Sequence, residues 1–266
     1  MSAETTSTSV PKVPSPPLTG PPLSSTITQR TVDRMKISVI VPTYNEETVI
    51  APLVKHLLAE PHDDLKEVLV IDGGSTDRTV TLARRAGAQV HVASRKGRAQ
   101  QMNLGASVAR GNILYFVHAD TRPPSGYVED IQKSFRTGHE IGSYRSRFCS
   151  SNPLLKLNSY FSRFDRFTCR GGDQTLFVTR SLFRQLKGYD DYYVVMEDFD
   201  FIRRARRQAC FQVMPRDAYV SARKYEDNSY WRVTVANFIV FTMFRLGVSP
   251  QRLLRTYKKM VQYPKY

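Results

Sequence analysis

Acidic side chains recur along this chain where apolar runs end. Asp72 closes Val68-Leu69-Val70-Ile71 and leads into Gly73-Gly74-Ser75-Thr76-Asp77, Asp120 closes His118-Ala119-Asp120, and Glu197-Asp198 precede Phe199-Asp200. Carboxylates beyond the carboxyl ends of strands stand where an open α/β sheet holds its ligand. A series of this kind can grip a nucleotide, a cation and a reacting hydroxyl in turn. Asp120 suits a hard divalent cation, Mg²⁺ or Mn²⁺, whose other ligands come from diphosphate and water. One carboxylate of Glu197-Asp198-Asp200 can serve as general base on an acceptor hydroxyl within hydrogen-bond reach. Helix capping is the plainer use of Asp198 and leaves the other two acids unexplained.

Further polar motifs flank these acids. In Pro42-Thr43-Tyr44-Asn45-Glu46-Glu47, Tyr44 can stack on a base while Asn45 and Glu46 hydrogen-bond base or ribose. The same residues can also be a capping box, Thr43 with Glu46. Gly73 and Gly74 let backbone approach a ligand closely, and Asp72 can accept a hydrogen bond from uracil or ribose; a tight turn capped by Ser75 or Thr76 is the alternative. Gly97-Arg98-Ala99-Gln100-Gln101-Met102-Asn103 opens a helix. Its N-terminus with Arg98 suits a diphosphate, and arginine there opposes the helix dipole and so asks for a nearby anion. Gly171-Gly172-Asp173-Gln174 can line an acceptor pocket or be a simple turn.

The elements that must position these groups are legible in the hydrophobic pattern. Ile37–Val41, Val68–Ile71, Gln89–Val92 and Ile113–Val117 read as strands, the first ended by Pro42. Val49–Leu58, Thr79–Ala86 and Arg98–Ala109 read as helices between them. Short connections and strand–helix alternation predict a mostly parallel sheet flanked by helices. After Thr137 the alternation breaks down into a strand at Tyr144–Phe148, a helix at Leu154–Phe167, a strand at Leu176–Val178 and a helix from Asp198 through Arg207. Trp231–Val248 is the most apolar stretch. It is short for a membrane span and interrupted by Asn237 and Arg245, so it packs on its own domain or lies in a membrane interface.

Composition bounds the function. Of 266 residues 41% are hydrophobic, enough for a large core. Residues 1–34, rich in Ser, Thr and Pro, predict a disordered tail with no secretory signal; 35–228 form the catalytic domain and 229–266 a basic, aromatic helical extension. Three cysteines without CxxC spacing point to a reducing cytoplasm and to no zinc site. The net charge is +15, and residues 201–266 alone carry 14 basic against three acidic side chains. An anionic partner follows: a phosphorylated ligand or an anionic membrane surface, with the protein peripheral on its inner face. No nucleic-acid-binding motif accompanies the charge.

Taken in order, Ser38–Glu46, Asp72–Asp77, His118-Ala119-Asp120 and Glu197–Asp200 resemble family 2 glycosyltransferases of the GT-A fold, a Rossmann-like nucleotide-diphospho-sugar transferase architecture. The strings Gly97–Asn103, His118–Thr121, Gly171–Gln174 and Phe244–Pro250 are similar to a subgroup associated with bacterial arsenosugar biosynthesis. The resemblance implies inverting transfer from a nucleotide-diphospho-sugar donor, most often UDP-linked, with Mg²⁺ or Mn²⁺. It places Pro42, Tyr44, Glu46, Asp72 and Asp77 on uridine, Arg98 and Asn103 at the donor, and Asp120 on metal. Asp198 becomes the base with Glu197 beside it, and Gly172, Asp173 and Gln174 line the acceptor site. One position departs from the family pattern: His118 stands where an Asp-x-Asp pair has its first acid. Two alternatives stay open, a polyprenyl-phosphate glycosyltransferase at a membrane surface and a catalytically weak nucleotide-sugar-binding protein.

Overall fold

The computed structural model describes residues 35–59, 62–167 and 174–262. The expected N-terminal tail and the acceptor-site positions Gly172 and Asp173 lie outside the described residues. One eight-stranded sheet runs through the described part. Its strands are β1 (Ile37–Thr43), β2 (Leu65–Asp72), β3 (Gln89–Val92), β4 (Ile113–Phe116), β5 (Thr121–Arg122), β6 (Ile141–Phe148), β7 (Leu176–Thr179) and β8 (Phe211–Val220). The spatial order is β3-β2-β1-β4-β7-β6-β8-β5. β3, β2, β1 and β4 are parallel, whereas β7 is antiparallel to β4 and β6, and β5 is antiparallel to β8. β6 and β8 are again parallel. The sheet is therefore a parallel half joined to a mixed half, in keeping with the loss of alternation after Thr137.

Helices α1 (Ile50–Leu58), α2 (Thr79–Arg85) and α4 (Tyr127–Arg136) cover one face; α3 (Arg98–Val108), α6 (Arg180–Gln185) and α7 (Glu197–Ala205) cover the other. Strand alternation explains how both faces are filled. Val39 and Val41 enter one core with Leu53, Leu57, Val70, Tyr115 and Ile131, while Ile40 between them enters the other with Met102, Leu114, Phe116 and Phe201. At about 25 cal/mol per Å² each fully buried branched side chain contributes roughly 1.5–3 kcal/mol. Gly105 lets α3 lie close on the sheet, because a Cβ there would sit 2.4 Å from a methyl of Ile40.

Several expectations change. β1 does not stop before Pro42 but runs through it, with Pro42 opposite Ile71 and Thr43 opposite Asp72. The reason is local: Ile40 accepts from Val117 N on the β4 side, so two residues on Pro42 faces that same side, where β4 has ended and no ladder bond is lost. β8 was not anticipated, since it is half polar and contains Pro215. The ladder steps from Tyr144–Met214 to Arg145–Asp217, so Pro215 and Arg216 bulge out of it. The helix expected over Leu154–Phe167 is α5 (Pro153–Phe161), opened by Asn152, whose side chain accepts from Leu154 N, and shortened by six residues. α8 (Tyr230–Arg245) packs Val233, Ala236, Val240 and Phe244 against α9 (Pro250–Met260) and against Val195 in a third core. Among the described residues no helix is long and apolar enough to cross a membrane.

Candidate active site

The carboxyl ends of β1 and β2 form two loops zipped together. Asp72 Oδ2 accepts from Gly74 N at 2.9 Å and Ser75 N at 2.8 Å, while Oδ1 accepts from Ser75 Oγ. This ties the loop into a tight turn with Gly74 at φ +87°, a conformation glycine adopts without cost. Ser75 Oγ in turn accepts from Asn45 N at 2.8 Å, and Asn45 Oδ1 accepts from Thr76 N at 2.9 Å. Asp77 bridges the same gap: Thr79 N donates to it at 2.9 Å and Glu47 N at 3.2 Å. Burial pushes the Asp77 carboxyl up, but the hydrogen bonds from Thr79 and Glu47 outweigh it and hold the group below its ordinary range. Below the loops, Gln101 Nε2 donates at 2.7 Å to the carbonyls of both Thr43 and Ile71, pinning the two strand ends.

Tyr44 is half-buried above this platform, with Lys96 Nζ 3.6 Å from its ring centroid. Glu46 is buried, and Arg223 grips it bidentately: Nη1 donates to Oε2 at 2.7 Å and Nη2 to Oε1 at 2.8 Å. The same Nη2 donates to Asp120 Oδ2 at 2.7 Å. In the sequence Arg223 is one of the 14 basic side chains of residues 201–266. The structure instead turns it inward, from the helical turn Arg223–Tyr225 after β8, onto two of the candidate carboxylates.

Across the site, α7 presents its acids. Met196, at φ 69°, turns the chain into the helix in the left-handed region, a strain of about 1–3 kcal/mol that functional sites often hold. Glu197 and Asp198 are buried in the first helical turn. Arg98 Nη1 lies 3.3 Å from Glu197 and 4.0 Å from Asp198, so the anion that an arginine at a helix N-terminus asks for comes from the chain itself. His118 Nε2 is 3.9 Å from Asp198 Oδ2. Asp200 belongs elsewhere, because Arg203 and Arg204 pair with it at 2.8 and 2.7 Å. Tyr189, which sequence reasoning did not single out, is buried beside these acids. Burial, reinforced by the negative charges of Asp198 and Glu197, keeps its phenol protonated far up the pH scale.

Three further expected residues are held within the fold. Pro42 lies inside β1 with its side chain buried. Asn103 donates to the Tyr189 carbonyl at 2.8 Å and to Asp191 at 3.0 Å and accepts from Tyr189 N at 2.9 Å, so its amide fixes the loop before α7. Gln174 accepts from Ser143 Oγ at 3.3 Å.

Four motifs far apart in sequence thus meet at one rim of the sheet, and a family model for glycosyl transferase family 2 matches residues 38–199, more than half of the chain. The chain belongs to glycosyltransferase family 2. Among curated relatives, the glycosyltransferase GlyG of Streptococcus pneumoniae is 30% identical over 101 residues, 36% of this chain and 33% of that protein. A PGL/p-HBAD biosynthesis glycosyltransferase of Mycobacterium bovis is 27% identical over 180 residues, 62% of this chain and 67% of its own. The chain spans about a third of the length of the first of these. Structurally, Staphylococcus aureus TarS (residues 1–349, with UDP) aligns at TM-score 0.60 with 21% identity, over 76% of this chain and 64% of that one. Glucosyl-3-phosphoglycerate synthase of Mycobacterium tuberculosis, with Mn²⁺, UDP and glucosyl-3-phosphoglycerate, aligns at 0.56 with 19% identity, over 87% of both chains. At these identities the likeness concerns the fold, which is GT-A.

The donor set fits a divalent cation only in one way. Among the described residues no group of three His, Cys, Asp or Glu side chains could hold a metal. Asp120 stands at the end of the sheet with its carboxylate already satisfied by a guanidinium. A cation there would take Asp120 as its protein ligand and draw its remaining ligands from diphosphate oxygens and water.

Proposed function

We propose that this glycosyltransferase transfers a sugar, with inversion, from a UDP-sugar to an acceptor hydroxyl. The observation that carries the reading is the gathering of Tyr44, Glu46 and the Asp72–Asp77 loop on one side of Asp120, with Glu197 and Asp198 reached through Arg98 and His118 on the other. Tyr44 would stack on uracil, with Glu46 and the pre-shaped loop of Asp72 and Asp77 holding the base and ribose. Asp198 accepts the proton of the acceptor hydroxyl as its oxygen bonds to the anomeric carbon and the bond to the diphosphate breaks. Glu197 and Arg98 would hold Asp198 in place, and Gln174 would line the acceptor side. A divalent cation on Asp120, when bound, would neutralise the charge developing on the leaving diphosphate. The acceptor, including one on the arsenosugar route that the motif strings resemble, is the open chemical variable. Calorimetric titration of UDP, GDP and CDP, with and without Mn²⁺, tests the donor site. Tight binding of UDP supports the reading; binding of none of the three turns it toward a non-catalytic scaffold.

A second reading, action at an anionic membrane surface on a lipid-linked acceptor, is favoured by the surface of α8 and α5. Trp231 and Phe238 are 66% and 70% exposed on the side of α8 opposite its buried stripe, and Leu157, Tyr160, Phe161 and Phe164 are exposed on and just after α5. Tyr230 links the two helices by donating to Asn158 at 3.0 Å, and Arg232 donates to the carbonyl of Met260, bringing the basic end of α9 with Lys258 and Lys259 alongside. Apolar rings beside lysines suit an interfacial position. Flotation with anionic liposomes tests this, and binding unaffected by W231A/F238A would remove it.

A further inference from the structure

Arg223 does more than neutralise Glu46. Its backbone is anchored to the strand end it serves: Ser221 N donates to the carbonyl of Asp120 at 3.0 Å, and Arg223 N donates to Ser221 Oγ at 3.3 Å. One guanidinium nitrogen, Nη2, binds Glu46 Oε1 and Asp120 Oδ2 together, so the two oxygens are no farther apart than those two bonds laid end to end. Freed of the arginine, Asp120 Oδ2 would be open to a hard divalent cation in the space the guanidinium leaves. Among the described residues the buried guanidinium Nε has no hydrogen-bond partner. A buried donor in that state is desolvated without compensation until an acceptor reaches it. Arginine is built for planar, multidentate recognition of phosphate.

We infer that Arg223 is a resident cation that competes with the divalent metal for Asp120 and passes to the donor's diphosphate when the nucleotide binds. The inference rests on the donor-site reading above and adds to it an order of events. In the free enzyme Arg223 satisfies Asp120, so metal alone binds weakly. The incoming diphosphate offers Nε and both Nη atoms an anion, draws the guanidinium from Asp120 and thereby opens that carboxylate to the cation. Nucleotide and metal then bind cooperatively through this one side chain, a coupling that must be reciprocal. Arg223 is thus a donor-binding residue whose charge, before the nucleotide binds, takes the place of the cation on the single acid of His118-Ala119-Asp120.

The test separates metal from nucleotide. Mn²⁺ alone, followed by electron paramagnetic resonance of the free ion, is titrated into wild type, R223Q, R223K and R223Q/D120N. UDP is titrated calorimetrically into the same proteins in EDTA. For R223Q, Mn²⁺ affinity should rise about tenfold, equivalent to about 1.4 kcal/mol, and metal-free UDP affinity should fall at least as much. R223Q/D120N should lose the gain in Mn²⁺ affinity, and R223K should recover part of both wild-type values. Unchanged Mn²⁺ affinity in R223Q, or R223K behaving as R223Q at equal thermal stability, overturns the inference. Failure of wild type to bind UDP overturns the donor-site reading instead, since the Mn²⁺ arm does not depend on it.

Discussion

The sheet carries an arginine–carboxylate cluster at each end, and they differ in how completely they are satisfied. At the amino ends of the strands, Glu67 is buried and accepts from Ser38 Oγ at 2.8 Å, Arg110 N at 2.6 Å and Arg110 Nε at 2.8 Å. Ser38 Oγ also accepts from Gly111 N at 2.8 Å, so β1, β2 and the start of β4 are joined through one carboxylate. Arg110 lies outward, 58% exposed, and shields rather than seals the acid. At the carboxyl ends, Arg223 reaches into Glu46 and Asp120 with a donor left over. In the first cluster both oxygens of Glu67 are bonded, and it works as a joint. The second leaves Arg223 Nε without a hydrogen-bond partner among the described residues, the feature on which the proposed ligand role rests. Counting ion pairs would not tell the two apart; accounting for each donor does.

That contrast can be broken in four ways, taken from the largest effect downward. Asp198→Asn should reduce transfer by about a thousandfold, roughly 4 kcal/mol of barrier, with UDP affinity near normal; equal loss of both would remove Asp198 from the base role. Glu67→Gln should lower unfolding free energy by about 2 kcal/mol, because a buried carboxylate receiving charged and backbone donors is lost, while UDP titration stays as in wild type. Asp120→Ala should give the opposite pattern: Mn²⁺-assisted UDP affinity falls by about tenfold, roughly 1.4 kcal/mol, and the denaturation midpoint barely moves. An unchanged metal titration would sink the assignment of Asp120.

The smallest effect is in pH. Burial pushes Glu67 up, but its bonds from Arg110 and Ser38 prevail and leave it below the ordinary value of 4.5. A depressed carboxylate contributes stability that is fully present above its unfolded pKa and is lost as pH falls through the folded one. Thermal melts of wild type should therefore lose stability below about pH 4.5, and Glu67→Gln should flatten that part of the profile. Parallel profiles for the two proteins would show that Glu67 carries none of it.

What could be read from the residues alone followed their local character. β1 to β4 and α1 to α3 are set by runs of β-branched residues and by helical spacing, and they came within a few residues of their observed ends, Pro42 being the instructive miss. The acids near the strand ends were legible for the same reason, since Asp72 directly follows an apolar run and Asp120 comes a few residues after one. The mixed half was less so. β8 alternates irregularly around a bulge at Pro215, and α4, α6 and α9 are short or polar, so their signal appears only once the sheet, or for α9 the helix α8, gives them a face to cover. The contacts of Asn103 with Tyr189 and Asp191, and of Asp200 with Arg203 and Arg204, were not legible in the string, because the partner a polar side chain meets is set by the fold.

By itself the sequence determined the alternation of elements, the strand ends that carry acids and the family these imply, since strand and turn chemistry act over a few neighbouring residues. Only the tertiary structure decided that Arg223 crosses 177 positions to hold Glu46 and 103 to hold Asp120. It alone decided, too, that Arg98 faces Glu197 and that Glu67 locks the opposite rim. Those pairings join charges far apart along the chain, and no local propensity encodes them; packing the sheet brings them within the few ångströms at which a hydrogen bond forms.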